Sequence, residues 1–305
     1  MILLDCEDAD SAMRSLAVGA GVDEAALREV LLAHKPDRIE WDASEDPWVA
    51  TPRAVFAALD VDIAAVRYDG AYYFHGTRVL HPHAFLEDGI RPLGAMLDRL
   101  WNDLYRLCAG QVTPTQWSAL RRELEGDTRA PLQDEDGAQL YRLKFASPVH
   151  QGPFASLVRD HTVEPINGQH DYLRSPEIVE DIAGYIGLGL QRLFEARATS
   201  CVVKFRHREV NQHTVEAAML YLLARVHEQP LDGGSVYGLD CQGAVPAEDV
   251  VYIDEINIAG RGSHGSAKVR RHKAASCSRD DPRCRGLDAS AIDASGRVVR
   301  AAPTL

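Results

Sequence analysis

The chain sets His75-Gly76-Thr77-Arg78 directly behind an apolar and aromatic run, Ala71-Tyr72-Tyr73-Phe74. A strand that serves only packing has no use for a His, a Gly and a Thr in succession. Gly inside a strand weakens it and often marks close approach of a ligand to the backbone. The pattern predicts either a pocket that opens at His75-Gly76-Thr77 or the end of the strand. Other groupings carry less. His81-Pro82-His83 offers two metal-ligating side chains, but no Cys or His cluster of ligand spacing accompanies it, so no metal is expected. His272, Cys277 and Cys284 match no zinc module. His170-Asp171-Tyr172 has the polarity of a pocket loop and equally of a capping turn. There is no nucleophile elbow, no Gly-x-Gly-x-x-Gly after a strand and no phosphate-loop Lys.

The elements that must position these residues follow from periodicity and punctuation. Asp69-Gly70 is a strong hairpin-turn signal, so residues 63–68 and 71–78 are expected as two antiparallel strands. Ahead of them, residues 1–60 read as a small helical region. Asp23 caps a helix carrying Leu27 and Leu31, and Thr51-Pro52 opens another that buries Val55, Phe56 and Leu59. Between these lies an acidic loop with Trp41 and Trp48, either pinned to the core or facing a partner. After the hairpin, a short helix ends at Gly89. A longer one carries Leu93, Leu97, Leu100, Trp101 and Leu104, and a third runs over 115–125. Residues 140–145 alternate and predict a strand. Gly152 leads a turn into a short helix, and Asn167-Gly168 falls in a polar loop. Ser175-Pro176-Glu177 starts a helix expected to bury Ile178, Ile182, Ile186, Leu190 and Leu193. A strand over 201–206, a helix over 215–226 and two last strands over 236–240 and 250–256 complete the body. The stretch from Gly260 onward lacks apolar periodicity and reads as a tail. This order lacks regular strand–helix alternation, which predicts an α+β fold rather than a doubly wound sheet.

Composition bounds the rest. The 305 residues are 46% hydrophobic and 26% charged, as in ordinary soluble globular proteins. No apolar run approaches the roughly 20 residues that span a bilayer, so no membrane partner is expected. The first eight residues have no basic run and turn acidic at once, so no secretory leader is expected. The six scattered cysteines then read as free thiols in a cytoplasmic setting. Net charge is −12, but the stretch from Gly260 holds ten Lys and Arg against four Asp, +6, which leaves −18 on the first 259 residues. An acidic body argues against broad binding to phosphate backbones. The basic tail could contact nucleic acid or an acidic partner, or it is simply solvated.

The run Tyr73-Phe74-His75-Gly76-Thr77-Arg78, followed by Asp88-Gly89-Ile90-Arg91-Pro92-Leu93, resembles the opening of the ADP-ribosyltransferase superfamily. The likeness is to its His-Gly-Thr branch, which includes poly-ADP-ribose polymerase catalytic domains and RNA 2′-phosphotransferases. Gly152-Pro153-Phe154-Ala155-Ser156 looks like that family's second motif, with Phe154 where Tyr is usual. Glu248-Asp249-Val250-Val251-Tyr252 looks like its third. The helices from 93 to 125 stand as an insertion. The resemblance implies a split, mostly antiparallel sheet with helical insertions over residues 63–259, between an N-terminal helical region (1–62) and the basic tail (260–305). It implies a glycosyltransferase that takes NAD as substrate, releases nicotinamide and passes ADP-ribose to an acceptor it does not specify. On that reading Gly76 and Gly152 belong to the cofactor site, Gly76 letting the backbone meet the carboxamide. His75, expected as a catalytic residue with Glu248, bonds a ribose hydroxyl or the adenosine side. Thr77 and Arg78 hold ribose or pyrophosphate, and Phe154 or Tyr73 stacks on the nicotinamide. Glu248, with Glu255 behind it, supplies the carboxylate that stabilises an oxocarbenium-like centre. An RNA 2′-phosphotransferase and a catalytically silent module of the same fold are the alternatives.

Overall fold

A computed structural model describes residues 1–34, 47–126, 137–146, 151–164, 170–231, 237–257, 269–273, 290–292 and 298–300. After a short strand, β1 (Leu3–Leu4), the first two helices start at aspartates. Asp8 accepts from the Ser11 amide and opens α1 (Ala9–Ala20), and Asp23 accepts from the Ala25 amide and opens α2 (Glu24–Ala33). Each satisfies an amide that a helix start leaves without a partner. The next helix, α3 (Pro47–Ala58), starts earlier than expected, so Pro52 lies inside it rather than at its first position. Burial of Val55 and Phe56 holds the helix across the missing amide.

The expected hairpin does not form. Residues Ile63–Ala65 make a 3-10 turn capped by Asp62, and β2 (Gly70–Val79) begins at the glycine itself. Asp69 instead binds the N-terminal segment: its amide donates to the Ile2 carbonyl (2.8 Å) and its carboxylate accepts from the Ile2 amide (2.6 Å). Leu3 and Leu4 then pair in parallel with Gly70 and Ala71. Gly70 serves close packing rather than a turn, since a Cβ there would lie 2.7 Å from the His207 carbonyl oxygen.

Gly89, at φ 73°, ends α4 (Ala84–Asp88), and α5 (Leu93–Cys108) follows. A capping box of Thr113 and Gln116, with Pro114 at the first position, starts α6 (Pro114–Glu125). Residues 140–145, expected as a strand, lie within a helix, α7 (Gly137–Ala146). Tyr141 is buried, with Trp101 Nε1 donating to its hydroxyl at 3.2 Å, whereas Leu140 and Leu143 are exposed. Six residues are too few to separate a period of 2 from one of 3.6.

A strand that sequence reasoning missed, β3 (Phe154–Ser156), pairs antiparallel with β2 and precedes α8 (Arg159–Val163). The helix expected to run past Leu190 is two, α9 (Glu177–Ile186) and α10 (Leu190–Arg197), parted where Gly187, Leu188 and Gly189 all take positive φ. Pro176 rather than Ser175 occupies the cap position of α9, and the Ser175 hydroxyl donates to the Pro176 carbonyl. Then come β4 (Thr199–His207), α11 (Gln212–Val226), β5 (Gly238–Asp240) and β6 (Val250–Ile256).

Beyond Gly260, where no regular structure was expected, β7 (Val269–Lys273) pairs antiparallel with β6 at five positions. Charge fixes its register. Arg271 stands opposite the fully buried Asp254, bonds it at 2.6 and 2.8 Å, and lies 3.7 Å over the Tyr252 ring. A separate pair, β8 (Ser290–Ile292) and β9 (Val298–Arg300), is also antiparallel. The protein is thus α+β, with helices and an open, largely antiparallel sheet of order β5-β3-β2-β4-β6-β7 and β1 alongside β2.

The chain divides into two compact units. Unit 1 comprises Met1–Phe74, Ala155–Gln169 and Lys204–Leu239. Its core joins Leu16, Leu27, Leu31, Phe56 and Met219, and its helices α1 and α3 both pack on α11. Unit 2 comprises His75–Phe154, His170–Val203 and Asp240–Leu305. Its core is built on Trp101, Trp117, Tyr141, Ile182 and Phe194 from α5, α6, α7, α9 and α10. Among the described residues no helix is long and apolar enough to cross a membrane. Cys6, Cys108, Cys201 and Cys241 are buried free thiols. Trp41, Asn167-Gly168, Cys277 and Cys284 lie outside the described residues.

Candidate functional site

Within unit 2, β2 leaves the core at His75. Phe74 is fully buried, whereas His75, Gly76 and Arg78 are only partly covered. A cavity of about 240 Å³ opens there. Its wall is apolar, from Val79, Phe85, Ile90, Leu93, Met96 and Ile178, with polar groups from His75, Thr77, Asp88, Arg91, Arg99 and Gln151. A mostly apolar cleft with a few convergent polar groups is the usual form of a small-molecule site.

His75 is the best-defined member. Its Nδ1 lies 2.7 Å from the Phe154 carbonyl oxygen, which can only accept, so Nδ1 carries the proton and Nε2 keeps a lone pair. Burial lowers the pKa of the ring, and the bond to the Phe154 carbonyl works against that shift without cancelling it. The first and second motifs of the sequence are thus joined by this bond. Thr77 is buried on the same wall.

Arg78 also lines the cavity, but its guanidinium is used by carbonyls. Nε donates to Ala198 (3.1 Å), and the terminal nitrogens to Glu195 and Arg174. That arrangement fixes the C-terminus of α10 and leaves the guanidinium little to offer an anion. Gly152 allows a backbone crossing, because a Cβ there would meet the Cys241 carbonyl oxygen at 1.8 Å while the Cys241 amide donates to Pro153. Tyr73 lies in the core: its hydroxyl donates to the Glu209 carbonyl and its ring stacks on Phe205. Phe154 is 42% exposed, and its ring stacks on Tyr172 at 6.4 Å.

The His170-Asp171-Tyr172 loop serves the start of α9. His170 Nε2 lies 2.6 Å from the Ser175 carbonyl, and the Tyr172 hydroxyl donates to Glu177. Glu248 is exposed in the 3-10 turn Ala247–Asp249 and does not line the cavity. The segment leading into that turn nevertheless rests on the cavity wall. Ile90 and Val245 exchange both backbone hydrogen bonds, and a Cβ on Gly89 would meet the Val245 carbonyl oxygen at 2.1 Å. Glu255 is also outside the cavity, with its carboxylate 3.1 Å from His272 Nε2.

Asp88 and Arg91 stood in the first motif without a role of their own, and Arg99 went unnoticed in the sequence. Both arginines bond Asp88, at 2.9 and 3.3 Å. A signal was present: Met96, Arg99, Leu100 and Asp103 share one face of α5 at i, i+3, i+4 and i+7, which puts charges where only apolar residues would suit a core. The cavity therefore offers a neutral imidazole and two arginines that share Asp88, with Arg99 also 4.0 Å from Asp103. Such a site suits a ligand with a flat or apolar part and an anionic part. No family model, curated protein or solved structure matches this chain.

Proposed function

We propose that the unit 2 cavity takes NAD and that the protein transfers ADP-ribose from it to an acceptor, releasing nicotinamide, on a sheet of ADP-ribosyltransferase type. The observation that carries this reading is the hydrogen bond between His75 and the Phe154 carbonyl, which leaves Nε2 as an acceptor at the cavity wall. The resemblance on residues 73–93 supplies the chemistry. Nε2 accepts from a ribose hydroxyl, Gly76 and Thr77 bring backbone to the carboxamide, and Arg91 and Arg99 exchange Asp88 for the pyrophosphate. Breakage of the glycosidic bond places positive charge on the ribose, so a carboxylate must face it. Glu248 is assigned that role from the turn beside Gly89, with Asp88 as the lining alternative.

Nicotinamide release from NAD, measured with and without cell lysate as acceptor source, tests this. Wild type should turn over, and His75→Ala should cut the rate by about 100-fold, the usual loss for a transition-state hydrogen bond. Glu248→Gln should do the same if it bears the carboxylate. The rate should hold through neutral pH, because the lowered pKa keeps His75 neutral there, and fall as the ring protonates below the ordinary imidazole range. Absence of both NAD binding and nicotinamide release sinks the proposal. A silent binding module is the second reading, and the exposed position of Glu248 outside the lining favours it. It requires NAD binding that depends on His75 without turnover in any lysate.

A further inference from the structure

Three potential metal ligands come together in unit 2 away from the cavity lining: His83, Glu255 and His272. They are far apart in sequence, and the fold brings them together. Strands β6 and β7 place Glu255 opposite Arg270 and Ile253 opposite His272. Glu255 and His272 are therefore diagonal neighbours on one face of the sheet, while Asp254 and Arg271 use the other. Helix α4 packs on β6 and carries His83 at its N-cap.

One nitrogen or oxygen from each residue falls within 4.8 Å of the other two. The Glu255 Oε1 to His272 Nε2 separation is 3.1 Å, close to the edge of about 3.3 Å that tetrahedral zinc imposes on ligands bound at 2.0–2.1 Å. Despite that distance, His272 Nε2 is buried and makes no hydrogen bond. A close approach without a shared proton is what two ligands of one ion present to each other. The His83 ring stands edge-on to His272 with centroids 4.4 Å apart, and His83 is exposed, so its ring is free to turn toward the pair.

We propose that His83, Glu255 and His272 bind a divalent transition metal of the zinc class, clasping β7 to α4. Two imidazoles and one carboxylate are a donor set that zinc accepts, with a fourth position left for water or a further ligand. The site is distinct from the cavity, and the assignment does not depend on any role for NAD. It also gives Glu255 a use other than that of a reserve catalytic carboxylate.

The test uses the full chain, freed of any affinity tag and dialysed against chelator, titrated with Zn²⁺ in a calorimeter and by thermal shift. One equivalent should bind and raise Tm. His83→Ala and His272→Ala should each abolish that binding, Glu255→Gln should weaken it sharply, and His81→Ala should leave it intact. Far-UV circular dichroism of the apo variants checks folding, and His83 is exposed enough that its replacement should leave the apo protein unchanged. Failure of the wild type to bind Zn²⁺ overturns the proposal. So does binding that survives His83→Ala, because the ion is then held by other residues.

Discussion

Lys204 and His161 show how unit 1 settles charge in its interior. Lys204 lies 2.7 Å from both Asp5 and Glu7, with the Tyr72 and Phe74 rings 4.3 and 5.5 Å from its ammonium. Burial opposes the charge, but the two carboxylates outweigh it and raise the pKa, so this cluster stays intact until strongly alkaline pH. His161 has no such partner. Both ring nitrogens are buried without hydrogen bonds beside Tyr237, and burial, helped by the Arg225 charge, lowers its pKa to about 4. The unfolded chain takes up that proton near pH 6.5, and the native state only near 4. Stability is therefore complete above 6.5 and falls through that window by about 3 kcal/mol. Urea unfolding of wild type and His161→Asn between pH 7 and 4 should show a markedly flatter pH dependence in the variant. Equal slopes would mean that His161 is not the titrating group.

Among the elements, the break between α9 and α10 is decided by backbone conformation. Gly184 and Gly189 both have open space where a Cβ would go, yet Gly189 sits at φ 64° and Gly184 in ordinary helix. Gly189→Ala should cost about 1 kcal/mol, since an L side chain is strained in the left-handed region. Gly184→Ala should stabilise by about 0.5–1 kcal/mol by restricting the unfolded chain. Opposite shifts in urea midpoint check the pair, and the same sign for both would refute the argument. The cap at Asp23 and the stop at Gly89 were legible because they are local, each bonding within its own helix. The 63–68 strand and the 140–145 strand were misread because their fate depends on distant partners. Asp69 is occupied by Ile2, and Tyr141 by Trp101.

For the whole molecule, the basic C-terminal stretch matters through β7. Without it, the β6 edge, rich in Val, Tyr and Ile, would offer unpaired backbone, and Asp254 would lose Arg271. A chain ended at Asn257 should therefore melt lower, by an amount in keeping with the roughly 3–5 kcal/mol lost when a buried ion pair is broken, and should tend to self-associate. Thermal unfolding and size-exclusion chromatography check this. An unchanged Tm with a monomeric profile would show that β7 contributes nothing to stability.

By itself the sequence determined the α+β class, the Asp23 cap, the Gly89 stop, and the point where β2 stops serving the core. These follow from local propensity and from a His, a Gly and a Thr that packing does not require. Only the tertiary structure decided which neighbours those residues have. It tied His75 to the Phe154 carbonyl, spent Arg78 on α10, left Glu248 exposed, lined the cavity with Arg91 and Arg99, and set Glu255 against His272. Those outcomes depend on strand register and helix packing between residues up to 120 positions apart, as with Arg78 and Ala198, and no local pattern records them.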